Sequence, residues 1–150
     1  MGDLEIRAAT ADDVPAIVDM LADDPLGAGR ESPDDLEPYL IAWERLHRDP
    51  HQHLVVAERD GRVVGTLQLS VIPGLSRRGA TRSVIEAVRV HPGERGGGLG
   101  TELIRWAVDT SRREGCRLVQ LTSDRTRTDA HRFYERLGFE ASHLGFKLPL

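Results

Sequence analysis

Val88-Arg89-Val90-His91-Pro92-Gly93-Glu94-Arg95-Gly96-Gly97-Gly98-Leu99-Gly100-Thr101 carries an apolar–polar alternation into a glycine cluster and out into a helical pattern. Val84 to Val90 reads as a strand that His91-Pro92-Gly93 breaks. Leu99, Leu103, Ile104, Ala107 and Val108 then fall on one face of a helix that Gly115 closes. Glycines in such a turn let backbone N–H groups converge without side chains in the way, and the helix behind adds its positive end. Together they make an anion site suited to a pyrophosphate. Arg95 can add a charge-assisted donor to the same oxygens. No Gly-Lys-Ser/Thr follows, so the loop is not a P-loop. The dinucleotide fingerprint fails as well, because Thr101 and Leu103 stand where its third glycine belongs.

Working outward, Leu4 to Arg7 alternates as a short strand, and Thr10-Ala11-Asp12-Asp13 is a capping-box start. Val14, Ile17, Val18 and Leu21 predict a first helix ending near Ala22. Ser32-Pro33-Asp34-Asp35 repeats the start signal, predicting a second helix to Leu46 that stops near Asp49-Pro50. Leu54 to Glu58 and Val63 to Ile72 read as strands joined at an Asp60-Gly61 hairpin. Pro73-Gly74 ends the second of these, and a basic loop with Arg77, Arg78 and Arg82 follows. Beyond the helix, Leu118 to Leu121 is a strand, Asp129 to Leu137 a short helix, and Phe139 opens a last strand. The order β-α-α-β-β-β-α-β-α-β describes an α/β chain, an α+β sandwich with a mixed, mostly antiparallel sheet flanked by helices. Residues 1–150 read as a single domain.

The bulk numbers narrow the function classes. Hydrophobic residues make up 39% and charged residues 29%, a globular balance. A formal net charge of −4 gives no reason to expect a nucleic-acid binder. No apolar run approaches the roughly 20 residues of a membrane span, and Asp3, Glu5 and Arg7 precede any apolar stretch. Cys116 is the only cysteine, which leaves no internal disulfide and no cysteine-rich metal site. These points lead us to expect a cytoplasmic protein without membrane or metal. Lys147 is the only lysine and asparagine is absent, a composition we read as bacterial codon bias.

Arg95-x-x-Gly98-x-Gly100 resembles the coenzyme A signature of the GNAT N-acetyltransferases. About 35 residues on, Ala130-His131-Arg132-Phe133-Tyr134-Glu135-Arg136-Leu137-Gly138-Phe139 resembles that family's Ala-x-x-Phe-Tyr-x-x-x-Gly-Phe segment. The two motifs stand in the family's order with a strand between them, and the resemblance covers nearly the whole chain. It implies the GNAT fold and acetyl-CoA as cosubstrate. It also implies that Arg95, Gly96, Gly97, Gly98, Leu99, Gly100 and Thr101 hold the pyrophosphate, while the backbone of Val88, Arg89 and Val90 meets the pantetheine arm. Tyr134 would protonate the departing thiolate, a role that suits a neutral phenol. The alternative for Phe133 and Tyr134 is packing of a short helix against the sheet.

Transfer to an amine needs a group to remove a proton from it. Glu86 is our candidate, on the strand that leads to the glycine turn; period-two geometry puts it on one face with Val88 and Val90. Its alternative is a surface carboxylate paired with Arg89 or Arg105. Glu31, between the first two helices, is a candidate for the acceptor pocket, as are the strand residue Gln68 and His143. Cys116 reads as a small core residue, since direct transfer needs no thiol nucleophile. The segment from Asp129 to Tyr134 with Ser142-His143 also resembles bacterial aminoalkylphosphonate N-acetyltransferases, in which case the basic loop would meet an anionic acceptor.

The reading is direct acetyl transfer from acetyl-CoA to a primary amine of a small molecule. A protein or peptide acetyltransferase, which would need an open groove, and a non-catalytic coenzyme A-binding module are the alternatives. Neither His-Glu-x-x-His nor Gly-x-Ser-x-Gly occurs, which speaks against a metal or serine hydrolase. A homodimer is a family-level expectation, because an open sheet edge favours pairing with a second copy.

Overall fold

The computed structural model describes residues 2–150. The chain divides into two compact units, Met1–Gln120 and Leu121–Leu150. In the first unit, strand β1 (Leu4–Ala8) leads to helix α1 (Val14–Ala22) and helix α2 (Glu37–Arg48). Three antiparallel strands follow: β2 (Gln52–Arg59), β3 (Arg62–Ile72) and β4 (Arg82–Val90). Helix α3 (Leu99–Arg113) then leads to β5 (Leu118–Leu121), which straddles the division, and α4 (Thr128–Arg136) belongs to the second unit. The sheet order is β1-β2-β3-β4-β5, and its first three pairings are all antiparallel. Element order therefore follows the expectation through α4.

Local chemistry accounts for most boundaries. Thr10 and Asp13 form the expected capping box, with the Thr10 N–H donating to Asp13 at 2.7 Å. Asp13 is buried and also accepts two bonds from the Arg7 guanidinium, at 2.7 and 3.0 Å, so the box fastens α1 to β1. Asp60 and Gly61 both take positive φ, as a tight hairpin between β2 and β3 requires. The sheet is covered on both faces. Val55, Ala57, Leu67 and Leu69 share the face on which α3 packs against β3 and β4, and Leu99, Leu103, Ile104 and Ala107 of α3 are likewise fully or nearly buried. A Cβ at Gly65 would stand 3.1 Å from Leu103 Cδ1 and 3.3 Å from the Arg89 carbonyl, so glycine there lets α3 lie close to the sheet. The opposite face carries Leu54, Val56, Thr66 and Gln68 under α1 and α2.

Three expectations are corrected. The Ser32-Pro33 start signal does not open α2. The Asp35 N–H closes a turn onto the Ser32 carbonyl, and the helix begins at Glu37 with Pro38 in its first turn. Pro38 is the second residue of the helix, where its missing N–H costs no helical bond. The strand expected from Phe139 does not form: residues 137–150 contain neither helix nor strand. Gly138, at φ +98°, ends α4 with the Gly138 N–H on the Glu135 carbonyl and the Phe139 N–H on the Tyr134 carbonyl. That is a Schellman stop, and the Ser142 N–H then turns back onto the Glu140 carbonyl. The third correction concerns β4, whose pairing with β3 is irregular between Thr66 and Gln68.

The Arg7 guanidinium beside it holds the Asp13 carboxyl below its ordinary value, against the opposing effect of burial. A depressed carboxylate stabilises the fold fully above its unfolded value, and the contribution is lost as pH falls through the folded one. Asp13→Asn should therefore cost about 2 kcal/mol at neutral pH. The deficit, read by urea denaturation at a series of pH values, should shrink on acidification below about pH 4.

Candidate active site

Strand β4 does not alternate regularly. Thr66 pairs with Arg89 and Gln68 with Glu86, so the single residue Leu67 faces two residues of β4, Ala87 and Val88. This is a β-bulge, and Ala87 adopts a left-handed φ of +54° within it. An alanine held there stores about 1 kcal/mol of backbone strain. The bulge also overturns the expectation that Glu86, Val88 and Val90 share a face. One extra residue inverts the alternation, so Glu86 and Arg89 project from the face shared with Gln68 and Thr66. Val90 registers with Gly65 toward α3.

Glu86 is exposed and lies opposite Gln68 on the α1–α2 face. Neither arginine named as its structural partner holds it: Arg89 pairs with Asp24 at 3.0 Å, and Arg105 with Glu102 at 3.6 Å. The Arg89 guanidinium further donates to the Val88 carbonyl at 3.0 Å. Burial pushes the Asp24 carboxyl up, but the Gly27 N–H and the charge of Arg89 outweigh it and hold the group below its ordinary value. The neighbouring Asp23, at the C-terminus of α1, takes Arg95 of the glycine turn at 3.2 Å. Two successive carboxylates thus tie the end of α1 to β4 and to the turn, a role the sequence reading missed.

The glycine turn has the form its composition suggested. His91 opens a short turn, its Nδ1 accepting from the Gly93 N–H at 3.2 Å. Gly96 and Gly98 take φ of +83° and +84°, and α3 begins directly afterwards. The Glu102 N–H closes the first helical bond onto the Gly98 carbonyl, so the N–H groups of Leu99, Gly100 and Thr101 have no helical carbonyl behind them. A Cβ at Gly96 or Gly98 would meet nothing within 4 Å. The glycines therefore serve the backbone angle and leave open space over these donors, which fits an anionic group the size of a pyrophosphate. On the α3 face, a groove of about 540 Å³ lined by Leu4, Ile6, Arg59, Gly98 and Trp106 flanks the turn, with Arg59 paired to Glu94.

The sequence model of the acetyltransferase (GNAT) family matches residues 14–139. The chain belongs to the GNAT acetyltransferase family. Membership identifies it as an acetyl-CoA-dependent acyltransferase. The aminoalkylphosphonate N-acetyltransferase of Salmonella typhimurium is 30% identical over 146 residues, covering 97% of this chain and 91% of that protein. The glucosamine 6-phosphate N-acetyltransferase of Trypanosoma brucei brucei is 33% identical over 150 residues, covering 99% of this chain and 97% of its own. A solved structure named as a transcriptional regulator from Bacillus halodurans C-125 superposes with a TM-score of 0.94 at 42% identity, over 99% of this chain and all of that one.

In this GNAT chain the remaining candidates fall in three places. Gln68 lines a cavity under α2 and donates to Gln52 at 3.2 Å. Glu31 does not reach that cavity itself; it accepts from the Tyr39 hydroxyl at 2.9 Å, and Tyr39 lines the wall. Tyr39 and Trp43 were missed by the sequence reading, although with Leu46 they form one apolar face of α2 at helical spacing. In the second unit, Tyr134 meets Phe133 and Phe139 edge-on, with ring centroids 5.1 and 5.9 Å away. The Phe139 contact is the hydrophobic clasp that accompanies a Schellman stop. His143 is exposed, its Nδ1 hydrogen-bonded to the Ser142 hydroxyl at 2.6 Å. Burial pushes the Cys116 thiol up, which fits an inert side chain. Among the described residues no helix is long and apolar enough to cross a membrane.

Asparagine and aspartate have the same size at position 98 and tolerate a left-handed backbone, but only aspartate brings a charge to the helix start. Calorimetric titration with acetyl-CoA should show Gly98→Asp losing at least about tenfold in affinity, while Gly98→Asn stays near the wild type.

Proposed function

We propose that the chain transfers the acetyl group of acetyl-CoA directly to a primary amine of a small molecule, as one acetyltransferase domain over residues 1–150. The observation that carries this reading is the bulge at Ala87. It leaves Glu86 exposed on the α1–α2 face while the strand runs on through Val90 into the glycine turn. Acetyl-CoA supplies the acetyl group as a thioester whose pyrophosphate suits the N–H groups of Leu99, Gly100 and Thr101. The backbone of Val88, Arg89 and Val90 receives the pantetheine arm in this reading, and Arg95 exchanges Asp23 for phosphate oxygens.

Glu86 takes one proton from the ammonium form of the acceptor, freeing a lone pair on nitrogen. The N–C bond forms at the thioester carbonyl as the C–S bond breaks. A bulge leaves its extra residue outside the ladder, so N–H groups near Val88 polarise the carbonyl oxygen. Tyr134 gives its phenolic proton to the sulfur, and the second proton shed by nitrogen restores the phenol through solvent. Glu31, acting through Tyr39, together with Gln68 and His143, shapes the acceptor site.

A small acceptor is favoured over a protein one because the space on the Glu86 face is a small, largely apolar pocket of about 160 Å³. The names of the Salmonella and Trypanosoma relatives, both transferases of small amines, support the same reading. We also infer a cytoplasmic bacterial protein that forms a homodimer. The dimer is supported by the C-terminal arm, where Leu144, Phe146, Leu148 and Leu150 alternate at strand spacing and are each more than four-fifths exposed.

Tyr134→Phe keeps the ring contact with Phe139, so turnover should fall at least about tenfold with coenzyme affinity nearly unchanged. A matching loss of coenzyme affinity would reduce Tyr134 to packing. Glu86→Gln should flatten the acidic limb of the kcat/KM pH profile; an unaltered limb would move the base to His143 or to water. Light scattering should give a dimer mass for the full chain and a monomer mass for a chain ending at Ser142.

A further inference from the structure

The cavity beneath α2 has a composition that constrains what enters it. Its volume is about 160 Å³, and its apolar wall includes Ile17 and Leu21 of α1, Trp43 and Leu46 of α2, and Leu54 of β2. No lysine, arginine, histidine, aspartate or glutamate lines it. Its polar groups are already engaged. The Thr66 hydroxyl donates to the Val55 carbonyl at 2.8 Å, and Trp43 Nε1 to the Ala9 carbonyl at 3.1 Å. The Tyr39 hydroxyl bonds Glu31 and the Ser32 N–H, and Gln68 bonds Gln52.

A phosphate, phosphonate or sugar taken into this space would give up part of its water and find few free donors and no cation in the lining, which disfavours it. An apolar group of matching size meets no such cost. In size, an apolar space of about 150 Å³ accepts a benzene ring. Ala87, the bulge residue, forms part of the wall, and Glu86 is its immediate neighbour on the face shared with Gln68. An amine whose carbon body fills the cavity therefore leads its nitrogen out toward the Glu86 carboxylate.

We propose that the acceptor is a primary amine on an apolar body of about one aromatic ring, an arylalkyl or short branched alkyl amine, with that body held under α2. This rests on the acetyltransferase reading above and adds the substrate class. It separates the chain from its relatives named for phosphorus-bearing amines.

The test pairs kinetics with binding. With saturating acetyl-CoA, kcat/KM for 2-phenylethylamine and isopentylamine should exceed that for 2-aminoethylphosphonate and glucosamine 6-phosphate by at least tenfold. Ala42, on the cavity wall, is replaced in Ala42→Phe to fill the space; this should lower kcat/KM for 2-phenylethylamine at least tenfold while leaving acetyl-CoA affinity unchanged. In parallel, 2-phenylethanol, which carries no amine, is titrated calorimetrically and should bind the wild type but not Ala42→Phe. Should that variant unfold, Leu46→Ala replaces it and should shift the preference toward a naphthyl amine. Preference for the phosphorus-bearing amines, with no binding of 2-phenylethanol, would overturn the apolar acceptor and leave the acetyltransferase reading intact. Binding of 2-phenylethanol with no amine acetylated would uphold the cavity's ligand class and overturn the transfer reaction.

Discussion

Two residues of β4 set against one of β3 constrain nearly everything on the α1–α2 face. Without the extra residue at Ala87, Arg89 would point toward α3 and lose Asp24, and Glu86 and Val90 would share a face. The left-handed alanine is tolerated because the strand is held from both sides. Upstream, Ile85 is buried and Ser83 is locked to Ser111 at 2.7 Å. Downstream, the His91 N–H bonds the Val64 carbonyl at 2.8 Å. Strain that persists only where the surroundings over-determine it is the kind found at working sites.

What could be read from the residues was what local chemistry decides. The glycine turn, the Thr10–Asp13 box, the Asp60-Gly61 hairpin and the apolar face of α3 each depend on neighbours within a few positions. They appear where their patterns stand. The bulge could not be seen, because Ser83 to Val90 alternates well enough to pass for a regular strand and only the partner strand reveals the slip. The start of α2 was misread because Ser32-Pro33 carries a start signal that the chain uses for a turn instead. The expected last strand has the right alternation, but a pattern alone supplies no neighbour to pair with.

The aromatic motif of the second unit illustrates how chemistry and architecture share residues. Gly138 and Phe139 stop α4, and Phe139 closes on the ring of Tyr134 three positions before the cap. Half of what makes Ala-x-x-Phe-Tyr-x-x-x-Gly-Phe recognisable is therefore helix termination. The proposed role of Tyr134 concerns only its hydroxyl, one atom within a segment whose spacing is set by backbone geometry.

The packing of α2 has a consequence for kinetics. None of its residues is buried, Leu40 and Ile41 face outward at 40% and 53% exposure, and its inner face rests over empty space. Free energy for local opening follows apolar burial, so this helix belongs to the weakly held end of the molecule while β3 belongs to the other. Amide hydrogens along α2 would exchange long before those of β3. The space beneath would then be bounded on one side by a wall that yields and on the other by one that does not, so its size follows the excursions of α2.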